Sequence, residues 1–246
     1  MAKSKSPVSA SRKHPLQRFE SPSREISFFI HSLGLCSFAG SFWYMINFPT
    51  AMNQAYGWHY QYLTIIGLLI STITFGFGLL ADITLSHRLF AIKNGLSLWC
   101  APLEVLITIL YWTISAIDRE LVIPPEINLD PYADISFHFM PSLLLVLDLL
   151  LLSPPYTIRN LPAAGLSTVL AFTYWAWIEH CYTQNGFYPY PLFDILSTTH
   201  RAILFGSSAM LMTGSTILLR WLYAKINGSL ETGNKKRTTP ANIKGQ

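Results

Sequence analysis

Charge is what this sequence has least of: 12% of its 246 residues are Asp, Glu, Lys or Arg, against 51% that are hydrophobic. So few charges cannot coat a water-soluble globule of this size, which excludes the ordinary cytosolic enzymes and points to lipid as the main solvent. Cysteine is also scarce. The three thiols are an odd number, and Cys36 and Cys100 lie inside apolar stretches, which argues against a disulfide framework or a cysteine-based metal cluster. Familiar soluble signatures are missing as well: no G-x-S-x-G elbow, no H-E-x-x-H, no glycine-rich phosphate loop with lysine, no cysteine pair at zinc spacing, and no internal repeat. Nothing in the sequence asks for a metal or a cofactor. The formal charge of +4 sits in two polar tails flanking apolar stretches, so nucleic acid is not expected as a partner.

What the chain does have is six apolar runs near the length of about 20 residues that spans a bilayer as helix. They cover roughly Ile26 to Ile46, Leu63 to Ile83, Leu96 to Ile117, Ile135 to Leu152, Leu161 to Glu179 and Thr199 to Tyr223. A lipid-exposed backbone must satisfy its own hydrogen bonds, and a helix does so within one segment. The expected fold is therefore all-α: a polytopic integral membrane protein with six transmembrane helices. The first run is too long for a signal-peptide core and is expected to stay in the chain. Residues 1–25 and 224–246 are rich in Ser, Pro, Lys, Asn and Thr without apolar periodicity, and are read as unstructured basic tails around a helical domain spanning 26–223.

Positive charge orients the bundle. Fifteen of the 17 Lys and Arg residues fall in the two tails and in the second and fourth loops, leaving Arg119 and Arg201 on the other side. The richer side, with both termini, is expected to face the cytosol. On that topology the Asn227-Gly-Ser sequon faces the cytosol and stays unmodified. The opposite loops carry Tyr56-Gly-Trp-His-Tyr-Gln-Tyr and Gly186-Phe-Tyr-Pro-Tyr-Pro, which read first as an interfacial aromatic belt.

Ionisable residues within apolar runs are costly, and each is a functional candidate until a partner or an interface explains it. One layer lies near the extracytoplasmic face: Thr64, His138, Glu179, His180, His200 and Arg201. At 1.5 Å rise per residue, Thr64 sits about 2 Å and His138 about 5 Å below the starts of their helices, so the two can meet. A second layer nearer the cytosol holds His31, Glu104 and Asp148, with Asp82 at the interface. Glu104 and Asp148 are candidates for a shared proton or a polar path. Asp148 is about 15 Å along a straight helix from His138, so it cannot orient that imidazole. Intramembrane threonines commonly bond back to their own preceding turn, Arg201 and His180 can anchor at headgroups, and Ala202 and Gly206 are spaced for close helix packing.

Over residues 26–223 the sequence resembles the androgen-induced gene one and androgen-dependent tissue-factor-pathway-inhibitor-regulating protein family of multipass membrane hydrolases. The resemblance rests on Tyr56-Gly-Trp-His-Tyr-Gln-Tyr-Leu-Thr64, on His138 followed by Pro141, on Trp177…His180…Gly186…Tyr-Pro, and on Arg201-Ala-Ile-Leu-Phe-Gly-Ser. Leu152-Ser-Pro-Pro-Tyr is similar to a fungal branch. The resemblance implies hydrolysis of lipid esters, specifically fatty acid esters of hydroxy fatty acids, with Thr64 as nucleophile and His138 as its partner, and no cofactor. Where the residues depart from the family pattern is the Pro-rich, acidic third loop around Pro124-Pro125. With the ester carbonyl just under the interface, Arg201 is the candidate to hold a substrate carboxylate, with His180 beside it as a second substrate-binding candidate. The expected partners are bilayer lipids and the expected compartment the endomembrane system, endoplasmic reticulum first. The alternatives are a membrane carrier built on His31, Glu104 and Asp148, and a non-catalytic membrane scaffold.

Overall fold

The computed structural model describes residues 16–18, 24–156 and 158–228, so most of the two tails lies outside the described residues. In chain order the helices are α1 (Glu25–Asn47), α2 (Leu63–Thr84), α3 (His87–Ile117), α4 (Pro131–His138), α5 (Met140–Leu147), α6 (Asn160–Asn185), α7 (Leu192–Ile195) and α8 (Thr198–Asn227), and no strand occurs among the described residues. Five of them, α1, α2, α3, α6 and α8, are each long and apolar enough to cross a bilayer. α4 and the segment from α5 to Leu152 meet the same test only together, across a 40° bend; counted as one bent crossing they bring the number to six. The all-α polytopic architecture is thus as expected.

Proline chemistry explains both irregularities in the spanning helices. Pro141 has no N–H to donate to the Phe137 carbonyl one turn back, and the break falls at Phe139; beside it the His138 carbonyl accepts the Thr108 hydroxyl at 2.7 Å. Pro102 lies inside α3, and the carbonyl it leaves unpaired one turn earlier, that of Leu98, accepts the Tyr156 hydroxyl at 2.8 Å. The core is a seam of Phe38, Leu68, Phe75, Leu145 and Leu149, all essentially buried. Outward faces carry Phe29, Trp43, Ile203 and Met210 exposed, as lipid-facing helices should. Where α1 crosses α2, the backbones approach closely: a Cβ on Gly78 would fall 2.5 Å from the His31 ring, and one on Gly34 2.4 Å from Phe75.

The Gln17 amide hydrogen-bonds the Tyr223 hydroxyl, so both ends of the described chain lie at one end of the bundle. At that end α3 begins at His87 rather than Leu96, leaving only Leu85 and Ser86 between α2 and α3. Lys93, read from sequence as a loop residue, is therefore helical and fully buried. It can be there because Asp148 Oδ2 lies 2.5 Å from its ammonium and Ser153 Oγ 3.0 Å away. Asp148 also meets His31 Nε2 at 3.2 Å, His31 Nδ1 meets Asp82 at 2.6 Å, and Arg18 approaches Asp82 at 3.7 Å. Glu104 is apart from this cluster, accepting the Ser71 hydroxyl at 2.9 Å, so the expected pairing of Glu104 with Asp148 does not form. Asn227 ends α8 buried, its amide donating to the Leu150 carbonyl at 2.8 Å, and helix replaces the tail expected from residue 224.

Removing one partner of a buried ion pair strands the other in low dielectric. Asp148→Leu is expected to cost about 3–5 kcal/mol of stability. Adding Lys93→Met should recover most of that loss, because no charge is then left alone; thermal unfolding in detergent measures both, and additive effects would contradict the pairing.

Candidate active site

At the end of the bundle opposite the termini, the loop before α2, the loop between α3 and α4 and the segment holding α7 enclose a cavity of about 720 Å³. Thr64 and His138 both line it. They come from different helices and no hydrogen bond joins them directly; the cavity lies between. Thr64 stands in the first turn of α2, where the N-terminal amides lack intrahelical partners. The Leu63 N–H donates to the hydroxyls of Tyr174 and Tyr190, each at 3.2 Å, which sets the Tyr190 hydroxyl beside the start of α2. Tyr174 passes its own proton to the Gln61 carbonyl at 2.8 Å. Burial pushes the Tyr190 phenol above its ordinary pKa, so it remains a neutral hydroxyl.

His138 closes α4, and its environment fixes its tautomer. Nδ1 lies 2.8 Å from Asp134 Oδ1 and 3.1 Å from the Asp134 carbonyl, one helical turn back. Both are acceptors, so the proton sits on Nδ1 and the lone pair on Nε2. The second carboxylate oxygen of Asp134 is held by Arg119 at 3.1 Å. The imidazole lies flat against the Tyr111 ring, centroids 3.4 Å apart and planes 3° from parallel. The orienting acid was missed in the sequence, although Asp134-x-x-x-His138 has the i, i+4 spacing that brings two helical side chains together.

A second, narrower compartment of about 110 Å³ opens from the same point, lined by Leu103, Leu106, Ile107, Ala209 and Met212 among other mostly apolar side chains. Thr64, Val122 and Tyr190 border both compartments. The candidate nucleophile therefore stands between a wide, partly polar vestibule and a narrower, mostly apolar cavity. In sequence Tyr190 is indistinguishable from its neighbours in the belt-like Tyr-Pro-Tyr-Pro stretch.

Arg201 and His180 stand elsewhere and line neither compartment. Arg201 Nη1 is 3.0 Å from Glu179 Oε1 and also hydrogen-bonds the Tyr188 hydroxyl, Nε donates to the Phe193 carbonyl at 3.0 Å, and the guanidinium lies 4.5 Å over the Tyr188 ring. Its charge is spent on tying α6 to α8. Tyr188 in turn donates to Glu179 Oε2 at 2.8 Å, and burial together with that carboxylate pushes the phenol up to about 12. His180 is exposed, with Nε2 3.2 Å from the Tyr56 hydroxyl. The carboxylate-capturing role expected for Arg201, with His180 beside it, thus has no geometry here. Among the described residues no group of His, Cys, Asp and Glu could hold a metal ion.

The family model described as FAR-17a/AIG1-like protein matches residues 26–224. A UPF0641 membrane protein of Schizosaccharomyces pombe is 33% identical over 206 residues, covering 82% of this chain and 92% of that protein. Human androgen-induced gene 1 protein is 24% identical over 65% of this chain and 74% of its own length, and mouse androgen-dependent TFPI-regulating protein is 27% identical over 63% and 71%. No solved structure matches the chain. A family match that runs from the first spanning helix to the last, with a fungal relative aligned over nearly all of its length, makes this chain a member of the FAR-17a/AIG1-like family of membrane proteins.

Proposed function

We propose that the protein is an intramembrane hydrolase of lipid esters in which Thr64 is the nucleophile, His138 the general base, Asp134 the residue that orients it and Tyr190 the donor to the oxyanion. One observation carries the reading: Thr64 and an imidazole held by a buried carboxylate at 2.8 Å border the same cavity. An aliphatic hydroxyl is a poor nucleophile unless a neutral base takes its proton during attack, and Asp134 leaves His138 Nε2 free for that task.

The steps follow from these positions. The substrate's acyl chain enters the narrow compartment, and its ester carbonyl lies beside Thr64. Thr64 Oγ1 attacks the carbonyl carbon as its proton passes to His138 Nε2, and the tetrahedral oxyanion is met by the Tyr190 hydroxyl. Collapse breaks the ester bond, the alcohol leaving with the proton from His138 into the vestibule and the acyl group remaining on Thr64. Water in the vestibule then gives its proton to His138 and attacks the acyl-threonine, releasing the fatty acid and restoring the hydroxyl. No cofactor is required. Fatty acid esters of hydroxy fatty acids are the substrate class that the family resemblance suggests, and an endomembrane such as the endoplasmic reticulum, with both termini cytosolic, is the setting we assign.

Four variants test the roles in purified protein assayed for fatty acid release from a long-chain ester. Thr64→Ala and His138→Ala are expected to fall to background; retained turnover in either removes that residue from the mechanism, and absence of turnover in the wild type removes the mechanism itself. Asp134→Asn should keep the ring in place but favour the wrong tautomer, lowering kcat by about 10²-fold or more with KM held. Tyr190→Phe should lower kcat by about 10²-fold, the scale of one lost oxyanion donor, again with little change in KM. A drop in KM-related binding alone would make Tyr190 a packing residue.

A further inference from the structure

We infer that the vestibule selects esters whose alcohol side is uncharged or cationic and discriminates against those carrying a free carboxylate, with Glu126 and Asp194 as the selecting residues. This rests on the ester-hydrolase reading of the cavity and deepens it to a substrate class.

The vestibule is lined by two carboxylates, Glu126 and Asp194, and by no Lys or Arg. They come from different segments, one from the loop between α3 and α4, the other from α7. Neither takes part in an ion pair among the described residues, so their charge is not cancelled. The cations that could have offset them are committed elsewhere: Arg201 to Glu179 and Arg119 to Asp134. Of the two histidines in the lining, His138 is paired with Asp134, donating its Nδ1–H to the carboxylate, and burial pulls His59 below its ordinary pKa, keeping it neutral near pH 7. The rest of the wall is largely aromatic and aliphatic, including Tyr44 stacked on Phe48 with centroids 4.5 Å apart, and its donors to an anion are neutral ones such as Thr50 and Asn128.

Glu126 belongs to the Pro124-Pro125 loop, in the wall of the compartment that on the hydrolase reading holds the leaving alcohol. A hydroxy fatty acid as alcohol would bring its carboxylate into a space already carrying two negative charges. Both acids are exposed, so the penalty is screened and acts as a several-fold bias rather than a block.

The test uses a fatty acid ester of a hydroxy fatty acid and its methyl ester, in uncharged detergent. Wild-type kcat/KM is expected to favour the methyl ester, and Glu126→Gln with Asp194→Asn to raise kcat/KM for the free acid by roughly fivefold while changing the methyl ester less than about twofold. Raising the salt concentration should narrow the wild-type gap and leave the double variant unchanged. Binding of the same two compounds to the Thr64→Ala protein gives a readout that needs no catalysis. A methyl-ester preference in binding that the double variant abolishes supports the selection even if the wild type shows no turnover, an outcome that fails the hydrolase reading alone. Equal handling of the two compounds, or a preference that the double variant does not alter, overturns the selection while leaving the hydrolase reading intact.

Discussion

Inside a bilayer a polar group has no water to fall back on, and the bundle is organised around that constraint. Lys93 and Asp148 are both removed from solvent and 2.5 Å apart, and His31 and Asp82 extend the contact into α1 and α2. Four spanning segments are thereby fixed at one end by groups that cannot separate without stranding a charge. The close approach of α1 and α2 at Gly78 belongs to the same arrangement, since only a residue without a side chain leaves room for the His31 ring. This end explains what holds the helices; its charges are used up on each other, which favours a structural role over a carrier path.

The opposite end is built differently. Here the broken crossing places His138 at the end of a short helix, beside a vestibule formed by loops, and the acid that orients it lies one turn back on the same helix. A rigid frame at one end and a cavity at the other is a common division of labour, because reacting groups must be held on firm elements while substrate needs an opening. Pro141 links the two: by interrupting the crossing it lets α4 and α5 take separate directions while their carbonyls find other donors.

Much of the architecture was legible because it follows from length and hydropathy. Five of the six apolar runs became whole candidate crossings and the sixth a pair of helices bent by 40°, and both ends of the described chain share one end of the bundle. The start of α3 was not legible: Lys93 looks like a loop boundary unless one knows that Asp148, far along the chain, lies beside it. The same limit applied to Arg201, whose sequence context near a helix start suits substrate capture equally well, and whose commitment to Glu179 is a tertiary fact. Thr64 and His138 could be proposed as a pair from depth along their helices, but the intervening cavity needs coordinates. Asp134 is the instructive miss. Its spacing from His138 was visible, yet attention to acids inside the apolar runs passed over one lying just before the expected start of a helix.

Asn227 has a practical consequence for anyone mapping which side of the membrane each loop occupies. Its amide is buried and already donating to Leu150, so an oligosaccharide could attach only before the last helix docks. An unglycosylated sequon at this position therefore carries no information about sidedness, and a reporter for topology has to be placed where the backbone is free of the bundle.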